Sequence, residues 1–204
     1  MTRLLGLLTA LVIALGGGAV TVDATAATPA VGGDGGPGGH EAAKRKVPSR
    51  AEWLADVKEA MDGSRTYVRA RVATALPEQR LAVNFDIDNT VIATYYDGGG
   101  AIPTMLRFAR LLDRLDVAVV FNTGRLSDQR RRTVRQLERN GFPVTDVCLR
   151  KKGETLPVGK QRCRDGFIDS GYTLIANIGN NDTDFVGDGY ERAFRLPNYD
   201  GILG

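Results

Sequence analysis

The chain has 204 residues, 43% of them hydrophobic and 25% charged, with 27 Lys and Arg against 24 Asp and Glu for a net charge of +3. That length and composition predict one packed domain with extensions, and so small a charge does not describe a binder of nucleic-acid polymers. A single histidine and two cysteines exclude a Cys/His zinc cluster and argue against Ser–His or Cys–His catalysis.

Residues 1–26 read as an export signal and not as part of the fold. Arg3 supplies a positive start, LLGLLTALVIAL an apolar run, and ATA at 24–26 a small-residue cleavage site. The Gly16–Gly18 run interrupts the segment before it reaches the roughly 20 apolar residues that span a bilayer. No stable membrane anchor is expected, and the mature chain is expected to be secreted. Residues 27–46 are rich in Gly, Pro and Ala and include His40; they read as a flexible tether. The domain is expected over 47–204.

Within the domain, Ser49 and Glu52 have capping-box spacing, and Trp53, Leu54, Val57 and Met61 repeat at helical spacing, with Gly63 expected to close that helix. RLAVNF (80–85) reads as a buried strand. VIATYYDGGGAIP (91–103) leaves room for a small flap but not for a folded cap. Its Tyr95 and Tyr96 either stack on an aromatic leaving group or pack the flap. IPTMLRFARLLDRL is helical, with Met105, Phe108, Leu112 and Leu115 on one face. VAVVF (117–121) is a second buried strand.

LSDQRRRTVRQLERNG is a helix ending at Gly141, whose Arg130, Arg131, Arg132 and Arg135 form a solvated face opposite Val134 and Leu137. VTDVCLR, YTLIANI (172–178) and RAFRLP supply further strands, and GKQRCRDGFIDSG a helix. Apolar strands alternating with helices predict an α/β fold: a three-layer αβα, Rossmann-like parallel sheet with a small flap and no large cap. Cys148 and Cys163 are either one disulfide or two buried thiols, and export favours the disulfide.

Ligands of such sheets sit beyond the carboxyl ends of the strands. Three strand exits here carry polar groups: DIDNT after LAVNF, NTGR after VAVVF, and GNNDTDF after TLIANI. Asp86 and Asp88, two apart in an extended segment, point the same way. Two close carboxylates need a cation or a shared proton, and a hard divalent ion such as Mg2+ prefers oxygen ligands.

FDIDNT, FNTGR, a later lysine and IGNNDTDF together resemble the four-motif signature of the haloacid dehalogenase (HAD) superfamily of phosphohydrolases. The ending GYTLIANIGNNDTDFVGDGYERAFRLPNY is similar to that of its subfamily IIIB secreted acid phosphatases. The resemblance covers 47–204. It implies a phosphomonoesterase acting on small-molecule substrates, with Asp86 the nucleophile, Asp88 the acid and base, and Lys160 a neutralising cation. Thr123 and the main-chain N–H groups near Gly124 would hold the phosphoryl oxygens, and Arg125 would either contact the substrate or brace the loop. Mg2+ would lie between Asp86, the main-chain carbonyl of Asp88, Asp184 and Asn180.

Among the lysines, GKQR favours Lys160 over Lys151 and Lys152, with Arg162 as the following arginine. The resemblance places an acid where this chain has Asn180, which would ligate through its amide oxygen or a water, with Asp182 a possible substitute. The lost charge should weaken metal binding, so Asn180→Asp is expected to tighten it. Two other outcomes stay open: a non-catalytic phosphate-binding or storage-type relative, and a phosphotransferase.

Overall fold

The computed structural model describes residues 47–204; the expected export signal and tether lie outside the described residues. A parallel five-stranded sheet organises the domain. It is built from β1 (Arg80–Phe85), β4 (Ala118–Leu126), β5 (Asp146–Arg150), β6 (Tyr172–Gly179) and β7 (Ala193–Arg195), in the order β5-β4-β1-β6-β7. β1 lies at the centre, so its exit is flanked by those of β4 and β6.

Alternate strand residues face opposite layers. Ala82, Val120 and Leu174 pack with Cys163 and Phe167 of α6 (Leu156–Asp169). Val83, Phe85, Val119 and Phe121 face the larger core, which also receives α1 (Arg50–Ala60), α2 (Ser64–Ala73), α4 (Pro103–Arg114) and α5 (Arg130–Arg139). The expected three-layer arrangement is therefore present. In α4, Met105, Phe108 and Leu112 are buried and Leu115 partly so, as the helical spacing requires.

The flap is small. β2 (Ile92–Ala93) pairs with β3 (Gly100–Ala101) in antiparallel register, and the single turn α3 (Thr94–Asp97) sits between them. Tyr96 stacks on Trp53 at 4.8 Å and donates to Pro48 O, which makes it a packing residue, whereas Tyr95 stays half exposed. Among the described residues no helix is long and apolar enough to cross a membrane.

Two boundaries and one helix differ from expectation. The Ser49 capping box forms, but α1 ends at Ala60, and Gly63, at φ 75°, begins α2 instead of closing α1. That second helix buries only Ser64 and Val68, too narrow a stripe to read from the sequence. β4 does not stop at Phe121. It runs on to Leu126 through a register shift after Thr123, an irregularity of the kind that re-aims side chains beside a site. Cys148 and Cys163 are joined in a disulfide that ties β5 to α6.

Candidate active site

β1 delivers Asp86 to the centre of the sheet's carboxyl edge, where its N–H donates to Ile178 O at the end of β6. α6 runs back across the sheet and places Lys160 over the same point. The ammonium donates to Asp86 Oδ1 at 2.5 Å, Asn122 O at 2.6 Å and pairs with Asp184 Oδ1 at 2.8 Å. All three charged groups are buried. Asp184 reaches this position because residue 179 is glycine: a Cβ there would meet Asp184 Cβ at 2.6 Å. Lys151 and Lys152 lie exposed on a turn, so Lys160 is the lysine the fold brings to the aspartates.

One ammonium between two carboxylates leaves a surplus negative charge. Burial pushes the Asp86 carboxyl up to about 7; Lys160 opposes that shift and Asp184 adds to it. Burial also works against the charge on Lys160, but Asp86 and Asp184 outweigh it and hold the ammonium protonated. On the far side of Asp86, the Thr90 hydroxyl lies 3.1 Å from Asp86 Oδ2 and 3.2 Å from Asn180 Oδ1. It has one proton for two oxygens.

Asp88 does not join this cluster through its carboxylate. Arg125 Nε and Nη2 grip its two oxygens at 2.8 and 2.7 Å, and the Thr94 hydroxyl adds a third bond at 2.7 Å. Burial alone would raise its pKa, yet these donors hold it below the ordinary carboxylate value. Arg125 also donates to Gln136 Oε1 at 2.8 Å, so its guanidinium lies between Asp88 and α5. The Thr123 hydroxyl accepts from Arg125 N at 3.2 Å, one residue past the carbonyl that Lys160 uses. Gly124 is closely covered: a Cβ there would lie 2.6 Å from Leu156. Asp182 is fully exposed and pairs with Arg195, which removes it as a substitute ligand.

Three supports escaped the sequence reading. Asn122 donates to Lys160 O while accepting Lys160 Nζ on its own carbonyl, a reciprocal clasp. Asn84 and Asn177 are paired across β1 and β6, and Asn177 holds Asp184 O at 2.8 Å. Arg164, not Arg162, is the arginine of α6 that reaches the last-motif loop. It is fully buried and donates to the carbonyls of Asp184, Val186 and Asp188, which fixes the last-motif loop. Arg162 instead pairs with Glu154 and Leu149 O. The available signals were an asparagine inside three apolar strand runs and an arginine one helical turn after Lys160.

Residues 97–201, about half of the chain, match the family model of the HAD superfamily, subfamily IIIB (acid phosphatase). The chain belongs to that family. The match begins after Asp86 and Asp88, so those two positions rest on the geometry above. A stem 31 kDa glycoprotein of Glycine max is 27% identical over 143 residues, 56% of each chain. This chain thus spans little more than half of that relative's length. Among solved structures, the class C acid phosphatase of Bacillus anthracis superposes with a TM-score of 0.61 at 17% identity, over 74% of this chain and 80% of that one. Its tungstate-bound form gives 0.59 at 16% identity over the same shares. These likenesses concern the HAD fold.

Among the described residues no group of three or more His, Cys, Asp and Glu is placed to hold a metal ion. Among the described residues, Arg125 takes both oxygens of Asp88, and Lys160 and the Asn181 N–H take those of Asp184, which leaves Asp86 Oδ2, facing the Thr90 hydroxyl, as the carboxylate oxygen of the cluster with no cationic or main-chain partner. The donor chemistry nonetheless fits a hard cation: surplus negative charge, and converging oxygens from Asp86 and Asn180 that share one hydroxyl proton.

Proposed function

We propose that this protein hydrolyses small phosphomonoesters through an aspartyl-phosphate on Asp86, with a divalent cation, Mg2+ by preference. The observation that carries the reading is the Lys160 ammonium held between buried Asp86 and Asp184 at the exit of the central strand. A carboxylate fixed there by a cation can approach an anionic phosphorus that would otherwise repel it. Asp86 Oδ would form the new O–P bond as the ester O–P bond breaks. The leaving alcohol takes a proton from Asp88, and water, deprotonated by Asp88, then releases phosphate and restores Asp86.

In its Arg125-paired form Asp88 is set up as the base. The acid step requires Arg125 to loosen its grip, and an incoming phosphoryl group competes for the same guanidinium. Thr123, with the main chain of Gly124, is the proposed phosphoryl seat. Asp86, Asn180, Asp184 and the Asp88 main-chain carbonyl would hold the cation, which when bound would offset negative charge between nucleophile and phosphate. Secretion is part of the same proposal, supported by the composition of residues 1–26 and by the disulfide between Cys148 and Cys163.

The test is phosphate release from p-nitrophenyl phosphate by the mature chain, with and without Mg2+, for wild type and Asp86→Asn. Metal-dependent turnover by the wild type alone is expected. No turnover with any divalent metal would identify a storage-type relative, and transfer of the phosphoryl group to an added alcohol in preference to water would identify a phosphotransferase.

A further inference from the structure

The end of the described chain folds back under the site. Leu203 buries its side chain in the main core, and its N–H donates to Asn198 O at 3.3 Å. Its carbonyl oxygen accepts two side-chain amides, Asn89 Nδ2 at 2.8 Å and Asn180 Nδ2 at 3.0 Å. Both lone pairs of that carbonyl are therefore engaged. Two further bonds pin the segment: Asn198 Nδ2 to Asn181 Oδ1 at 3.0 Å, and the Tyr199 hydroxyl to Asp56 of α1 at 2.6 Å.

A carbonyl can only accept. Whichever amide faces Leu203 O must present its nitrogen, so its oxygen faces the other way. For Asn180 that oxygen meets the Thr90 hydroxyl beside Asp86. For Asn89, held at φ 54°, it accepts the N–H of Tyr95 at 2.8 Å and so seats the flap turn α3. One main-chain carbonyl thereby orients one residue of the first motif and one of the last.

We infer that the 198–203 segment is a positioning element of the site: the Leu203 carbonyl favours one amide orientation of Asn89 and Asn180, so that Asn180 turns its oxygen to the Thr90 hydroxyl beside Asp86, where Asn181 Nδ2 also donates to it at 3.3 Å, and Asn89 turns its oxygen to the flap. This makes amide chemistry at 180 a requirement. An aspartate there would set a carboxylate oxygen against the Leu203 carbonyl oxygen, replacing a hydrogen bond by repulsion between two acceptors. The charge-based expectation for Asn180→Asp is reversed: the variant gains an anion but loses the tail that aims it.

Amide exchange followed by NMR on the metal-free protein tests this. In the wild type the Nδ2 protons of Asn89 and Asn180 are expected to be protected. In Asn180→Asp the main-chain amides of Leu203 and Tyr95 should exchange about tenfold faster, the scale expected for one lost buried hydrogen bond, while Val83 in the central strand keeps its protection. Freely exchanging Nδ2 protons in the wild type overturn the inference without any variant, and so does unchanged protection of Leu203 in Asn180→Asp.

A second readout rests on the proposed hydrolysis. The Mg2+ concentration giving half-maximal p-nitrophenyl phosphate turnover should not fall in Asn180→Asp; a several-fold fall overturns the inference. If no turnover is found at all, the exchange measurement still decides.

Discussion

Replacing Arg164 by methionine is the sharpest test of how the last-motif loop is held. The substitution keeps the apolar stem of the side chain and removes the guanidinium. Three main-chain carbonyls, of Asp184, Val186 and Asp188, then lose a charged donor, and Gln161 Oε1 loses another. A hydrogen bond to a charged group contributes about 1.5–3 kcal/mol. The contributions are not equal here. Asp184 O keeps its bond from Asn177, and Val186 and Asp188 are on exposed positions where water can replace the arginine.

Burying the guanidinium also has a cost, seen in the lowering of its pKa by desolvation. Taking the low end for three bonds and subtracting part for that desolvation gives a net loss of about 3 kcal/mol. With a urea m-value of about 2 kcal/mol/M, the unfolding midpoint should fall by about 1.5 M. Phosphatase activity measured below the new midpoint should fall as well, because Asp184 is set by the loop that Arg164 ties down. A midpoint loss under about 0.5 M would refute the reasoning, since that is no more than one neutral hydrogen bond.

Lys160→Met should lower kcat roughly 100- to 1000-fold, the scale of losing one preorganised charge stabiliser. The fold should survive by circular dichroism because Asp86, already raised to about 7, takes up a proton in place of the lost partner; near-wild-type kcat would contradict this. Replacing Cys148 and Cys163 together by serine opens a loop spanning a separation of 15 residues and should cost about 3 kcal/mol in urea unfolding. Glu154 is held down to about 2 from 4.5, chiefly by its hydrogen bonds from Arg162. A depressed carboxylate stabilises the fold above its unfolded pKa and loses that effect as pH falls. The midpoint difference between wild type and Glu154→Gln should therefore be constant above pH 4.5 and shrink toward pH 2.

Much of the site was legible because its chemistry coincides with strand exits. Asp86, Thr123 and Asp184 each follow an apolar run, and a parallel sheet puts such exits side by side. Lys160 was legible from its place on the helix before β6. What escaped was set by tertiary contact. Nothing local in the sequence says that Asp88 hands both oxygens to Arg125, 37 positions later, or that the Leu203 carbonyl meets Asn89 and Asn180. Arg164 was missed because a charged residue in a helix reads as solvated until the packing around it is known. α2 was missed because its buried stripe is two residues wide.

The most direct test of the central claim is chemical trapping of the covalent intermediate. Protein quenched in acid during turnover of p-nitrophenyl phosphate and reduced with borohydride should carry homoserine at a single aspartate, since an acyl phosphate is reduced where a free carboxylate is not. Homoserine at position 86, with Asp88 and Asp184 unmodified, is the predicted result. Turnover with reduction at another aspartate, or at none, would contradict the account.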